Sequence, residues 1–321
     1  MKRIDIANLT GGAPAIGMGC ASLGSRVGRR EGIKALERAF AAGVTWFDVA
    51  PSYGDAEAET ILGEFVRSRR NEVEVCTKVG IRPARTPFSM RVAKPMLRYA
   101  VDAFPMLRKH VTRVRPQVAK LPITADMISS SIDSSLQRLG TDHVDVLALH
   151  AAEPHEVVRD DILAALERIV RFGKARIISI ASSPDAGLLG AMHSRIYGII
   201  QIANNPFQPS LALAAGQLPA GRTVTFVTHT VYGAFGALLR LREMIESNPT
   251  KLHMLRDEGY SGSTEAVAAA FLADYALTTN SSGITLFSML KEEHLNFNLR
   301  RMEQLPAKAR VENLAQALIT T

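Results

Sequence analysis

The chain has 321 residues, 47% of them hydrophobic and 21% charged, a globular composition at a length that fits one large α/β barrel or two ordinary domains. Its formal net charge of +7 is local: residues 81–121 hold ten Lys/Arg against the single acid Asp102, a net of +9 that leaves the remainder at −2 and argues against a nucleic-acid-binding protein. No run approaches the roughly 18 apolar residues of a membrane span, and the start, MKRIDIANLTGG, has no apolar h-region, so the sequence predicts a cytoplasmic protein without a membrane span.

In chain order, strand-like apolar runs fall at 14–20, 44–49, 72–78, 144–150, 175–181, 198–204, 223–229 and 283–287. Between them lie helical patterns. Glu31 to Ala42 sets Ile33, Leu36 and Phe40 on one face and stops at Gly43. The segment 124–139 opens on Thr124 as an N-cap, turns Ile128, Ile132, Leu136 and Leu139 to one side, and ends at Gly140. Further helices are expected at 160–172, 185–194, 233–246 and 264–278. Strands apolar throughout and alternating with helices predict a parallel sheet covered on its outer face, and eight such units predict a closed (β/α)8 TIM barrel over residues 1–321. Residues 81–121 are too long for a βα loop and read as an insertion after the third strand, a lid or part of the substrate pocket. If they line the pocket, Arg91, Arg98 and Arg108 imply an anionic or sugar-like substrate. A helical face of Leu97, Val101, Phe104, Leu107, Val111 and Val114 runs through the insertion and is interrupted by Pro105. The only two cysteines, Cys20 and Cys76, sit inside apolar runs, the setting of reduced core thiols rather than a disulfide.

In such a barrel the reacting side chains stand at the C-terminal ends of the strands and in the loops just after them. Asp48 ends the second strand (TWFDVA), Tyr53 follows in PSYGDAE, Lys78 ends the third (VCTKVG) and His150 the fourth (VLALHAAEP). Each alone reads more simply as a cap, an ion-pair partner or a satisfied core residue. Four at the mouths of three consecutive strands read as a proton-transfer centre, because burying them costs free energy unless they pair or work together. The expected roles follow: Lys78 lowers the pKa of Tyr53, Asp48 holds Lys78 charged, His150 orients a carbonyl, and Tyr53 exchanges its proton with the alkoxide.

DVAPSYGDAE, CTKVG, SSIDSSLQRLGTDHVDVLALH and IIQIANNPF, in this order and spacing, closely resemble the aldo-keto reductase superfamily over nearly the whole chain. The resemblance implies an NADP(H)- or NAD(H)-dependent oxidoreductase of aldehydes, ketones or sugars, with Asp48, Tyr53, Lys78 and His150 as its tetrad and the cofactor extended across the barrel mouth. It implies cofactor contacts from Gly19, Cys20 and Ala21 through backbone, and from Asp48, Tyr232 and Gly233. Gln201 and Ser182 match residues that hold the nicotinamide carboxamide. Ser183 stands where the family usually has Asn, and His229 where it has a stacking aromatic. In LFSMLKEEHLNFN, Ser288 falls where the family often has Lys and His294 where it has Arg, while Asn298 matches. Two missing cations weaken recognition of a 2′-phosphate. NADP(H) is favoured on family grounds, with NAD(H) as the rival and Lys291, Arg300 or Arg301 as substitutes for the missing charge.

Other readings fit less of the chain. GMGCASLG imitates a dinucleotide-binding turn, but Ser22 occupies its third glycine position and the motif leaves Tyr53, Lys78 and His150 without a role. A metal-dependent hydrolase lacks ligands, because only His150 and His229 end strands and there is no H-x-H pair. No metal site is expected. A nicotinamide-binding regulatory barrel with little turnover is the alternative function. The expected partner is a small carbonyl or alcohol substrate rather than nucleic acid.

Overall fold

The computed structural model describes residues 2–82, 120–233 and 236–320. The features read at 83–119, including Arg91, Arg98, Arg108 and the interrupted helical face, lie outside the described residues. The ends of the insertion are pinned together: Leu121 N donates to Gly80 O at 3.2 Å, and Ile81 bridges Lys120 in antiparallel fashion.

A hairpin, β1 (Arg3–Ile6) and β2 (Leu9–Pro14), comes first, turning through Asn8 at φ 67°. Eight parallel strands then close a barrel: β3 (Ile16–Gly19), β4 (Trp46–Asp48), β5 (Glu74–Val79), β6 (Val144–His150), β7 (Ala175–Ala181), β8 (Tyr197–Ala203), β9 (Thr225–His229) and β10 (Ile284–Phe287), which pairs with both β9 and β3. All eight coincide with the expected runs to within about two residues at most ends. The apolar run from 14 starts late because Pro14 belongs to β2. The hairpin is a correction to the expectation. Ile4, Ile6, Leu9 and Ala13 join Trp46, Cys76, Val146, Ile177, Ile199, Val227 and Ile284 in one buried cluster, so the hairpin closes the N-terminal end of the barrel interior.

The helices are α1 (Arg29–Ala41), α2 (Ala58–Val66), α3 (Ala125–Leu139), α4 (Asp160–Arg171), α5 (Pro184–His193), α6 (Ser210–Gln217), α7 (Ala237–Ser247), α8 (Pro249–Asp257), α9 (Thr264–Thr279), α10 (Glu292–Glu303) and α11 (Lys308–Thr320). Thr124 caps α3 by accepting from Met127 N at 3.2 Å, and Gly140 ends it in a left-handed conformation at φ 66°. The expected helix at 233–246 starts only at Ala237, after the left-handed Gly236. Helices α2, α6, α8, α10 and α11 were not anticipated.

Strand parity positions the site. Along β6, Leu147 and Leu149 pack outward against the helical layer, while Val146 and Ala148 fill the barrel. The same two-residue period continues from Trp46 to Asp48, Cys76 to Lys78, Ala148 to His150, Ile199 to Gln201 and Val227 to His229. Each barrel-filling apolar residue is thus followed, one step nearer the C-terminal mouth, by a polar one on the same face. Cys20 and Cys76 are buried free thiols.

Candidate active site

The polar positions at the strand ends open into a cavity of about 590 Å³ whose lining includes Gly19, Asp48, Tyr53, Lys78, His150, Ser182, Ser183, Gln201, His229 and Ser288. At its floor Lys78 and Asp48, each about 3% exposed, form an ion pair, and Lys78 Nζ also donates to Val49 O at 3.1 Å. Asp48 is held in turn by the strand neighbours β3 and β5: Cys20 N donates to Asp48 O at 2.8 Å, and Val49 N to Cys76 O at 2.8 Å. Oδ2 of Asp48 is buried without a hydrogen-bond partner.

Tyr53 leads a turn in which Gly54, Asp55 and Ala56 all take the left-handed conformation at φ 58°, 59° and 70°. The first of these needs glycine on two counts, since a Cβ on Gly54 would lie 1.4 Å from Leu23 O. This close approach seats the Tyr53 turn on the β3–α1 loop. Lys78 Nζ stands 4.9 Å from the centre of the Tyr53 ring, and the His150 ring meets Tyr53 edge-on, centroids 5.9 Å apart at 88°. Beyond His150 and His229, the strands stop on left-handed Ala151 (φ 56°) and Thr230 (φ 65°), both in the cavity lining. Backbone conformations of this cost for non-glycine residues concentrate at functional sites.

The electrostatics correct one expectation. Burial raises the pKa of Tyr53, and although the Lys78 charge works to lower it, the net direction is upward. Burial also works to lower the pKa of Lys78, but the charges of Asp48 and Tyr53 overcome it and hold the ammonium above its ordinary value. His150 is pushed down to about 3 by burial, with Lys78 and His229 adding to the shift. His229 is pushed down to about 4, again chiefly by burial, with Asp48 opposing and Lys78 reinforcing it. Near neutral pH the site therefore offers a protonated phenol, a cation and two neutral imidazoles. Burial also pushes both cysteine thiols up, away from reactivity.

These histidines make stability depend on pH. In the unfolded chain they take up protons below about 6.5, whereas in the folded protein they do so only near 4 and 3, so their contribution is complete above about pH 6.5 and is lost as pH falls. The expected slope approaches ~1.4 kcal/mol per pH unit per histidine between those limits. Urea unfolding at pH 7 and pH 5 checks it: His150→Asn/His229→Asn should show a shallower loss than wild type, and an equal loss would contradict the assignment.

The remaining expected residues are not all brought together. Gly19 and Ala21 line the cavity, but Cys20 turns its thiol into the outer core toward Met18 O, and its N–H is already committed to Asp48. Ser182 Oγ donates to Ala152 O at 2.6 Å, Ser183 caps α5, and Gln201 Nε2 reaches Cys76 Sγ at 3.1 Å. His229 Nδ1 pairs with Thr230 Oγ1 at 2.7 Å. Tyr232, Gly233, His294 and Asn298 lie outside the cavity lining, although Tyr232 packs on Phe287 and donates to Asn298 Oδ1 at 3.0 Å. Asn298 is 1% exposed and its Nδ2 is unpartnered. His294 is exposed beside Glu293, Lys291 pairs with that same Glu293, and Arg301 pairs with Asp274. Of the three substitutes proposed for the missing cations, two are thus engaged by carboxylates. Sequence reasoning missed Ser22, Arg26, Ala151 and Thr230 in the lining, since loop residues carry no periodic signal, and the strand-end residues Ala181, Leu286 and Phe287, whose apolar side chains read as core.

A (β/α)8 barrel with an ion-paired lysine, a tyrosine and a histidine gathered at its C-terminal mouth defines a protein equipped for acid–base chemistry on a small molecule. A family model described as the Aldo/keto reductase family matches residues 15–207, and the chain belongs to that family. It is 30% identical over 219 residues to a D-threo-aldose 1-dehydrogenase of Pseudomonas sp, covering 64% of this chain and 61% of that protein. It is also 30% identical over 151 residues to a 6-dehydroglucose reductase of Agrobacterium fabrum, covering 46% and 42%. The chain thus aligns with less than two thirds of the length of these relatives. An aldo-keto reductase of Klebsiella pneumoniae, solved in complex with NADPH, has the same fold at a TM-score of 0.67 and 17% identity, covering 99% of this chain and 95% of that one. Among the described residues no helix is long and apolar enough to cross a membrane, and no group of His, Cys, Asp and Glu is arranged to hold a metal ion.

Proposed function

We propose that this chain is an NAD(P)H-dependent oxidoreductase that reduces an aldehyde, ketone or sugar carbonyl, or oxidises the corresponding alcohol, with Tyr53 as general acid/base. The observation that carries the reading is the buried Lys78–Asp48 pair beneath Tyr53 and His150 in one open cavity. The names of the two relatives, an aldose dehydrogenase and a sugar reductase, support a sugar-like carbonyl. The NADPH of the structural neighbour supports NADP(H) over NAD(H).

The residues fit a nicotinamide cofactor. The cavity lining includes Gly19, Ala21, Ser182, Gln201, Leu286, Phe287 and Ser288, and outside it the buried Nδ2 of Asn298 has no hydrogen-bond partner among the described residues, while Oδ1 accepts from Tyr232. Ser182 and Gln201 would hold the carboxamide, and Asn298 the adenine. When bound, the reduced nicotinamide supplies the hydride.

The chain's own side chains supply the rest. A neutral His150 donates a hydrogen bond to the substrate carbonyl oxygen and fixes its orientation beside Tyr53. Hydride addition at carbon leaves an alkoxide, to which Tyr53 Oη gives its proton. The Lys78 ammonium stabilises the resulting phenolate, and Asp48 keeps Lys78 charged and in place.

Fluorescence titration with NADPH and NADH, followed by turnover of a panel of aldehydes, ketones and aldoses, tests the reading. Micromolar binding with turnover is the expected result, and the tighter nucleotide shows what Ser288 and His294 mean for the 2′-phosphate. Binding without turnover supports a regulatory barrel, and absence of binding removes the reading.

A further inference from the structure

We propose that Arg26 selects substrates that carry a carboxylate, so that the preferred substrate is an aldehyde or ketone with a carboxylate a few bonds from its carbonyl. This rests on the reductase reading and narrows it to a substrate class. Arg26 lies in the loop between β3 and α1 and lines the same cavity as Tyr53 and His150. The loop is a tight hydrogen-bonded turn: Arg26 N donates to Ser22 O at 3.1 Å, Gly24 N donates to Val27 O at 3.0 Å, and Leu23 bridges Val27. Its Leu23 carbonyl abuts Gly54, immediately after Tyr53, and Gly54 N donates to Ala21 O at 3.2 Å. The backbone of Arg26 is thereby fixed to the turn that carries the proton donor. Arg26 stands on the Tyr53 side of the mouth, in the loop after β3; β3 also neighbours β10, which Ser288 follows, so nucleotide binding is the control for this assignment.

The charge inventory of the cavity gives Arg26 its meaning. Asp48 and Lys78 answer each other, Tyr53 is held protonated, and His150 and His229 are held neutral. Among the described lining residues this leaves one unanswered charge, the Arg26 guanidinium, which forms no hydrogen bond or ion pair with any described residue. Arg26 is exposed at the rim of an open cavity whose described lining is otherwise neutral, and a guanidinium there attracts an anion and offers a planar fork that matches a carboxylate. One positive charge suits a monoanion. A dianionic phosphate would call for a second cation, and the described lining holds none beyond the neutralised Lys78.

The test compares 4-carboxybenzaldehyde with 4-carbamoylbenzaldehyde, which share shape and differ in charge, in wild type, R26Q and R26K. Wild type should favour the carboxylate by about 10- to 100-fold in kcat/KM, carried by KM, the scale of one charge-assisted hydrogen-bonded pair. R26Q should bring the ratio close to one, and R26K should keep part of it. An equal ratio in wild type and R26Q overturns the proposal. So does a loss of NADPH or NADH affinity in R26Q of the same size, which would assign Arg26 to the cofactor's phosphates. Calorimetric binding of the two corresponding benzyl alcohols needs no turnover. If wild type binds neither nucleotide and turns over nothing in the wider carbonyl panel, the reductase reading fails on its own, and equal affinity for the two alcohols overturns the Arg26 proposal separately.

Discussion

Tyr53→Phe should lower kcat for carbonyl reduction by about 10³-fold, within the range that general acid–base catalysis contributes, while the dissociation constant for the nucleotide stays within about threefold of wild type. The split follows from where the hydroxyl is. The ring of Tyr53 packs edge-on against His150 and beside Lys78, contacts that phenylalanine keeps, so the cavity retains its shape and loses the hydroxyl, with its proton and its hydrogen bond to Lys78. The pH profile sharpens the test. Burial outweighs Lys78 in setting the pKa of Tyr53, and the phenol therefore remains protonated through and above neutral pH in the nucleotide-free protein. Reduction, which needs the acid, should run flat across neutral pH and fall only in alkali. Alcohol oxidation, which needs the phenolate, should rise with pH over the same interval. Steady-state rates in both directions from pH 6 to pH 10 decide the matter: profiles that keep their shape in Tyr53→Phe, or a nucleotide affinity that collapses with the rate, would remove Tyr53 from the proton-transfer step.

The barrel was legible because the information lies in strand composition. Runs such as VDVLALH and ARIISIA, apart from the ion-paired Asp145 and Arg176 near their starts, are largely apolar on both faces, as a parallel strand between a packed interior and a helical layer requires, and they sit where β6 and β7 lie. The hairpin was not legible for the opposite reason. β1 alternates exposed and buried residues over four positions only, and Ile4 and Ile6 gain their burial from the barrel floor, a contact between the chain start and strands as far away as β10. Helices such as α6 and α8 are short and bury few side chains, so their periodicity is weak.

The floor of the site was legible by the same logic. Asp48, Lys78, His150, Gln201 and His229 are polar residues at the ends of apolar strands, and parity sends all of them inward. What the sequence hid is decided by distance and dielectric. Arg26 enters the cavity through a loop whose path depends on Gly54 meeting Leu23. The direction of the Tyr53 pKa depends on how deeply the ring is buried, which outweighs the neighbouring charge that the spacing suggested. The Cys20 side chain turns outward into the core while Gly19 and Ala21 line the mouth, an alternation that the short strand-end segment follows.

Lys78→Met should cost more stability than any single change at the mouth, about 3–5 kcal/mol, because it leaves Asp48 as an uncompensated buried charge. Asp48 is 3% exposed and its Oδ2 already lacks a hydrogen-bond partner, so among the described residues the one ion-pair partner that answers its charge is Lys78. The partner substitution separates this cause from lost packing. In Lys78→Met/Asp48→Asn both charges are gone, and most of the lost stability should return, since replacing both members of a buried pair is often close to neutral. Activity should not return, because the ammonium that stabilises the Tyr53 phenolate is absent in both variants. A further consequence is visible in the histidines: Lys78 depresses the pKa of both His150 and His229, so its removal should move both upward toward 6.5, observable by NMR titration of the imidazole protons. Equal urea midpoints for the single and double variants would show that Lys78 stabilises the barrel by filling space rather than by answering Asp48, and the electrostatic account of the site would fall with it.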